Sequence, residues 1–304
     1  ASCQDYQDDI IKKHELTRED KEKDRQRHIE TLNAQTGPVF LTYKQKDSID
    51  RLVEQGMRQN PVYDILTFDG VRHIFYVVDD EQLIAAIQEE FRRLAVLYVA
   101  DGHHRSAAAT KIKVKRQGEN PAHSGNEEYN FFLAVIFPHK QMKIMPYNRL
   151  VKDLNGMGQA EFFGALAERF TYQETEEKVP AAPQEFCMYI AGKWYLLQAK
   201  PGSFAAADAI ASLDISILQN NLLGPVLGIK DPRTDKRIDF VGGIRGTAEL
   251  EKMVDSGKFA VAFSLRATTI EQLFAVADAG KIMPPKSTWF EPKLKDGLVS
   301  HLLD

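Results

Sequence analysis

Cysteine is nearly absent: Cys3 and Cys187 are the only two in 304 residues, too few for a disulfide framework and without a close Cys/His spacing suited to structural zinc. A reducing, cytoplasmic setting is therefore expected. No apolar run approaches the ~20 residues that cross a bilayer, and the first residues form neither a basic nor an apolar signal region, so no membrane partner is expected. A surplus of positive charge is also missing. The formal net charge is -4, which offers no general attraction to a polyanion, and nucleic acid is not the expected partner despite the local run Lys111-Ile112-Lys113-Val114-Lys115-Arg116. The common nucleotide signatures are absent too: there is no G-x-x-x-x-G-K-[ST] segment, and Gly156-Met157-Gly158 lacks the third glycine that a dinucleotide turn requires.

Hydrophobic residues at 43% and charged residues at 27% are what a chain needs to fold around a buried core, and a length of 304 residues exceeds the usual single domain. The reading is an α/β (α+β) protein of two lobes with mixed sheets. The linker composition of residues 117–126 separates an expected first domain over 1–120 from a second over 127–304. The opening residues Ser2 to Asp9 are polar and read as having no strand or cap of their own, so a further N-terminal portion is expected in front of them. Dense charges of both signs over 9–33 suit one exposed helix. Strands follow at 39–43, 72–78 and 94–100, helices at 48–59 and 81–93, the latter capped by Asp79 or Asp80. In the second half, strands are expected at 131–137 and 142–146, a hairpin over 186–197, a helix over 213–227 and a closing strand at 298–303.

The apolar run from Leu94 to Ala100 empties into Asp101-Gly102-His103-His104-Arg105-Ser106, and an Ala- and Lys-rich helix follows. This order places backbone N–H groups and the positive end of a helix dipole at one spot, where anions bind. Gly102 lets the backbone approach a ligand, Arg105 can fork two hydrogen bonds to phosphate oxygens, and Asp101 can orient a histidine or hold Mg²⁺. His103 and His104 supply donors or a proton carrier near neutral pH, and the Ser106 hydroxyl adds a further group. The plain alternative is a helix start in which the Asp is a cap and the histidines are solvated.

The same residues, Val99 to Ala108, resemble the Asp-Gly-His-His-Arg signature of ParB/sulfiredoxin-type domains, and within that superfamily the free serine kinases. Over nearly the whole chain the sequence is similar to the bacterial family of domain of unknown function 1015, on the stretches Lys12 to Arg18, Thr36-Gly37-Pro38, Asp231 to Phe240 and Met283 to Phe290. The resemblance implies a ParB/sulfiredoxin-like first lobe and a catalytic glutamate upstream of the phosphate turn, a position that Glu15 in His14-Glu15 matches by order. It also implies further residues in front of Ala1. Sulfiredoxins carry a cysteine where this chain has His103, which argues against sulfinic-acid repair.

In the second lobe, Arg233, Asp235 and Arg237 belong to a turn of mixed charge suited to clamping a zwitterion or phosphate. Lys286, Ser287 and Thr288 present a cation and two hydroxyls on a stiff segment after Pro284-Pro285. Gly242-Gly243-Ile244-Arg245-Gly246 reads either as a small anion nest or as a sharp turn, and Tyr147-Asn148-Arg149 could face a cleft. The functional expectation is a phosphotransferase moving a phosphoryl group from ATP, ADP or pyrophosphate, with Mg²⁺, to the hydroxyl of a small metabolite such as free serine. Catalytic roles fall to Glu15, Asp101 and His104, phosphate binding to Gly102, His103, Arg105 and Ser106. The alternative is a non-catalytic nucleotide-binding switch of ParB type. Nothing in the composition fixes an oligomeric state.

Overall fold

The computed structural model describes residues 1–304. In chain order the first elements are α1 (Cys3–Gln7), β1 (Ile11–Lys12), α2 (Glu19–Leu32), β2 (Ala34–Gln35), β3 (Val39–Tyr43), α3 (Asp47–Gly56), β4 (Tyr63–Leu66), β5 (Arg72–Phe75), α4 (Glu81–Arg92), β6 (Leu97–Asp101), α5 (His103–Glu119) and β7 (Ala134–Pro138). They are followed by β8 (Lys143–Met145), β9 (Tyr147–Val151), α6 (Gln159–Arg169), β10 (Phe170–Glu174), β11 (Glu185–Ile190), β12 (Lys193–Ala199), α7 (Asp214–Leu218), β13 (Ile238–Gly242), α8 (Ala248–Asp255), β14 (Val261–Ser264), α9 (Ile270–Asp278), β15 (Trp289–Glu291) and β16 (His301–Leu302). No helix is long and apolar enough to cross a membrane.

The chain is α/β, as expected, and divides into two compact units. Residues 1–12, 20–142 and 294–304 form the first, and residues 13–19 and 143–293 the second. The first is built on a sheet of order β1-β6-β3-β7, in which β3 and β6 are antiparallel while β1 pairs with β6 and β7 with β3 in parallel. The β-branched and aromatic residues of Val39–Tyr43 suit a strand buried on both faces, and all five are buried. Helix α5 lays Ala107, Ala108 and Ile112 against Val39, Leu41 and Val99 to make this core, which Cys3, Tyr6, Ile11 and Phe132 complete.

Three expectations for this unit are corrected. The polar opening is ordered: the Ser2 hydroxyl accepts from the N–H groups of Gln4 and Asp5 at 3.0 and 3.2 Å and caps α1, which puts Cys3 and Tyr6 in the core. The charged stretch 9–33 is not one helix, because Ile11 is drawn out as β1 opposite Leu97 and the helix begins only at Glu19. The break near residue 120 falls inside the first unit, because β7 pairs along β3 from Val39↔Ala134 to Tyr43↔Pro138 and so ties residues up to 142 to this sheet. The Gly- and Pro-rich stretch marks a loop there rather than a boundary. Asp80 caps α4 as expected, accepting from Gln82 and Leu83 at 2.9 and 3.0 Å.

The second unit carries a six-stranded sheet of order β10-β12-β11-β14-β9-β13, antiparallel throughout. The expected hairpin is β11–β12, turned at Ala191 and Gly192 with φ of 50° and 79°, the positive values that a two-residue hairpin turn needs. Leu150, Cys187, Tyr189, Trp194 and Ala262 of the sheet pack against Leu250 and Val254 of α8. The expected helix over 213–227 is shorter: α7 ends at Leu218 and passes into a wider, π-type turn over Gln219–Leu223. The closing strand is reduced to β16, which belongs to the first unit and pairs with β2 inside it.

Candidate functional site

Strand β6 ends at Asp101, which pairs with Phe40 of β3 at a register shift. Gly102 then turns the chain with φ 101° and ψ 25°, and α5 starts at His103. That conformation favours glycine, and the space demands it as well: a Cβ there would stand 3.0 Å from Arg105 Nε and 3.3 Å from Val39 Cα. A helix leaves its first N–H groups without partners inside the helix, and Gly102 has no side chain with which to fill them. No acidic residue stands in the first turn of α5, so the positive end of its dipole is not neutralised from within the helix.

Arg105 is the cation of this turn. Its Nη2 lies 4.0 Å from Asp101 Oδ1 and its Nη1 3.6 Å from Asp296 Oδ1, both too long for hydrogen bonds, and its Nε is buried without a hydrogen-bond partner. Burying a donor unsatisfied is costly, so this guanidinium is set for an acceptor that would displace solvent and the two carboxylates. It opens on a cavity of about 80 Å³ lined by Arg25, His28, Thr36, Gly37, Val39 and Asp296, among others. The cavity has room for several waters and so for a group of phosphate size. At its mouth a Cβ on Gly37 would stand 2.8 Å from Asp296 Oδ1, and Gly297 donates from its backbone N–H to the Thr36 carbonyl at 2.8 Å.

The other residues of the turn differ in access. Asp101 is part-exposed and His103 is 4% exposed. Ser106 is fully buried, its hydroxyl 3.3 and 3.1 Å from the carbonyls of Gly102 and His103 to which it donates, which takes it out of reach of an incoming phosphate. No group of three or more His, Cys, Asp or Glu side chains is arranged to hold a metal ion. Asp101 carries a carboxylate, a hard oxygen donor of the kind that holds Mg²⁺.

His104 is part-buried on α5, and the remaining expected residues lie in the second unit. Glu15 is exposed in the segment 13–19 and sits in a bend, not on a helix. Its neighbour His14 is buried beside Phe290. Arg233 grips Asp231 with two hydrogen bonds of 3.0 and 3.1 Å, and Arg237 reaches Asp235 and Asp153. The mixed-charge turn is thus internally neutralised: Arg233 holds the Asp231 carboxyl below its usual range, and the Arg237 backbone N–H and guanidinium do the same to Asp235. Lys286 is exposed, Ser287 is 8% exposed with its hydroxyl donating to the Pro284 carbonyl, and Thr288 is part-buried. The glycines after β13 answer to packing, since a Cβ on Gly242 would meet the Trp289 ring at 2.7 Å and one on Gly243 the Pro146 ring at 2.6 Å.

Arg25, His28 and Asp296 escaped the sequence reading. The first two are lost among the charges of α2, and Asp296 reaches the cavity from the far end of the chain with no local signal. Gly37, next to a proline, offered the one usable sign.

Residues 1–216 match the family described as Protein of unknown function (DUF1015). The chain belongs to this DUF1015 family. No curated protein matches the sequence. Among solved structures, the chain is similar to SbnI with C-terminal truncation from Staphylococcus aureus, at 12% identity and a TM-score of 0.49 over 99% of this chain and 86% of that one. It is similar to free serine kinase in complex with AMP at 14% identity and a TM-score of 0.43, over 93% and 84%. A conserved hypothetical protein from Pyrococcus furiosus is similar at 13% and 0.43, over 95% and 90%. At these values no residue role transfers to this DUF1015 chain.

Proposed function

We propose that the chain is a phosphotransferase whose turn from Asp101 to Arg105 holds the phosphates of ATP, ADP or pyrophosphate and passes one phosphoryl group to the hydroxyl of a small metabolite such as free serine. The observation that carries this reading is Arg105: a guanidinium with a buried, unpartnered Nε, set beside the N-terminus of a 17-residue helix at the wall of a phosphate-sized cavity. Charge-assisted bonds from such a group to phosphate are among the strong ones. The resemblance of the turn to free serine kinases supplies the reaction class.

In this reading the backbone of Gly102 to Arg105 and the Arg105 fork bind donor phosphates, and His104 lies next to the transferring group. Asp101 would hold Mg²⁺ together with the donor, and the metal would supply charge neutralisation on the phosphates. Glu15 takes the proton of the acceptor hydroxyl while the acceptor oxygen bonds to phosphorus and the bridging oxygen leaves with ADP, AMP or phosphate. Lys286 and Thr288 are proposed for the acceptor side. Ser106 is left out because of its burial, Arg233 because Asp231 already holds it, and Asp235 and Arg237 because they pair with each other.

Phosphorus NMR of the chain with each donor, Mg²⁺ and a mixture of amino acids and polyols tests the proposal. A new phosphomonoester signal is the expected result. Donor binding without any transfer would replace the enzyme by a nucleotide-binding switch, and no binding of any donor would remove both.

A further inference from the structure

Arg149, on β9 of the second unit, is 3% exposed. Its guanidinium donates to the carbonyls of Tyr147 and, at 3.1 Å, Lys286, and its Cζ lies 5.2 Å from the centroid of the Phe240 ring. It makes no ion pair with a carboxylate, and besides burial the one group that acts on its charge is the Tyr147 phenol. Two carbonyls do not exhaust the five N–H donors of a guanidinium, and neither carries the charge that would offset it. A buried cation without a counter-charge is costly, and native proteins pair such groups. Burial alone pulls this guanidinium down to about 9.

The group lines a narrow cavity together with Tyr147, Asp214, Arg266 and Ser287. The wall is fixed: Thr268 donates its hydroxyl to the Ser287 carbonyl at 3.0 Å, and Lys286, whose carbonyl Arg149 grips, is held at φ 56°, a left-handed conformation that a lysine adopts at a cost. Lys286 Nζ stands 5.2 Å from the centroid of the Tyr147 ring. The one acid among these lining residues is Asp214, which accepts from the Gln184 N–H at 2.7 Å.

We propose that this cavity is a carboxylate-binding pocket, with Arg149 as the buried counter-charge for the carboxylate of a small molecule whose body stays at the mouth. A space of about 10 Å³ holds a single water, so it admits one oxygen of an anion whose remaining atoms stay at the mouth, and the charge of Asp214 rather than the volume sets a carboxylate against a phosphate. Asp214 on the same wall opposes a dianion and favours either a monocarboxylate or a zwitterion whose ammonium group faces it. The pocket is made by the second unit alone and does not depend on the phosphoryl-transfer reading.

Calorimetric titration of the full chain with propionate, L-alanine and inorganic phosphate, at constant ionic strength, tests the pocket. The wild type should bind a carboxylate and not phosphate, and its melting temperature should rise with that ligand. Arg149→Met keeps the stem without the charge: affinity should fall at least tenfold, and the unliganded protein should melt no lower than wild type, because a merely structural arginine would be missed while an unpaired one would not. Asp214→Asn separates the two sources. It should weaken L-alanine if the ligand is a zwitterion, and tighten propionate if it is a plain acid. Absence of carboxylate binding by the wild type, or equal affinity in Arg149→Met, overturns the proposal. If Arg149→Met does not fold, unchanged titrations of Asp214→Asn with both ligands overturn it.

Discussion

Arg105 and Asp296, separated by most of the chain in sequence, face each other in the first unit with Nη1 and Oδ1 3.6 Å apart, beside a glycine at position 37 that could not carry a Cβ without touching the same carboxylate. The Asp296 side chain is 62% exposed, so the pair is weak and the carboxylate competes with any anion arriving at Arg105. Asp296→Asn should therefore tighten nucleotide or pyrophosphate binding. Titration calorimetry that shows weaker binding would make Asp296 a ligand-holding residue instead.

Arg105→Ala removes the charge from the turn while leaving the helix start in place. Donor affinity should fall by roughly 1.5 to 3 kcal/mol with the circular dichroism spectrum unchanged. An unchanged affinity for a donor that the wild type binds would take the phosphate site away from this turn.

Gly102→Ala forces a side chain into φ 101° and against Arg105 Nε. The strain should cost about 1 to 3 kcal/mol of stability, read from urea denaturation, and anion binding should suffer further as Arg105 is pushed aside.

Glu15→Gln keeps the shape of the side chain and removes the base. Phosphoryl transfer should fall by about 10² to 10⁴-fold with donor affinity nearly unchanged, a split that single-turnover kinetics and titration resolve together. Transfer at the wild-type rate would leave Glu15 a surface charge.

The loop 120–127 should be acid-sensitive through Glu127. Its carboxylate accepts from the Ser124 N–H at 2.6 Å and the Gly125 N–H at 2.9 Å, and these backbone bonds, Ser124 first, hold it down at about 2 from an ordinary 4.5. A carboxyl lowered in the folded state stabilises it fully above the ordinary value, and the contribution is lost as pH falls toward the folded one. Wild type should lose stability between about 4.5 and about 2 more steeply than Glu127→Gln. Parallel pH profiles for the two proteins would show that the loop does not hold through this residue.

The strand, glycine turn and helix from Leu97 to Glu119 were legible because burial, backbone permissiveness and helix propensity all act locally there. The hairpin β11–β12 was legible for the same reason. Ile11 was not, since its place in a parallel pair depends on Leu97 far along the chain, and local charge density argued for a helix. Arg233 and Arg237 looked free for a ligand because a sequence does not show that Asp231, Asp235 and Asp153 already hold them. The cavity at Arg105 was half legible: the arginine stands in a readable motif, whereas Asp296 reaches it only through the tertiary fold.

The pairing of β16 with β2 has a consequence for synthesis. Leu302 lies opposite Ala34, and residues 294–304 belong to the same unit as residues 1–12, so the first unit stays incomplete while the ribosome makes the 151 residues from 143 to 293. Contacts of such long sequence separation form late. On a nascent chain halted before Leu294, Gln35 should lack its strand partner and Arg105 should lack Asp296, so that the cavity at Arg105 would lack that wall. That order makes residues 294–304 the segment that closes the first unit over its own cavity.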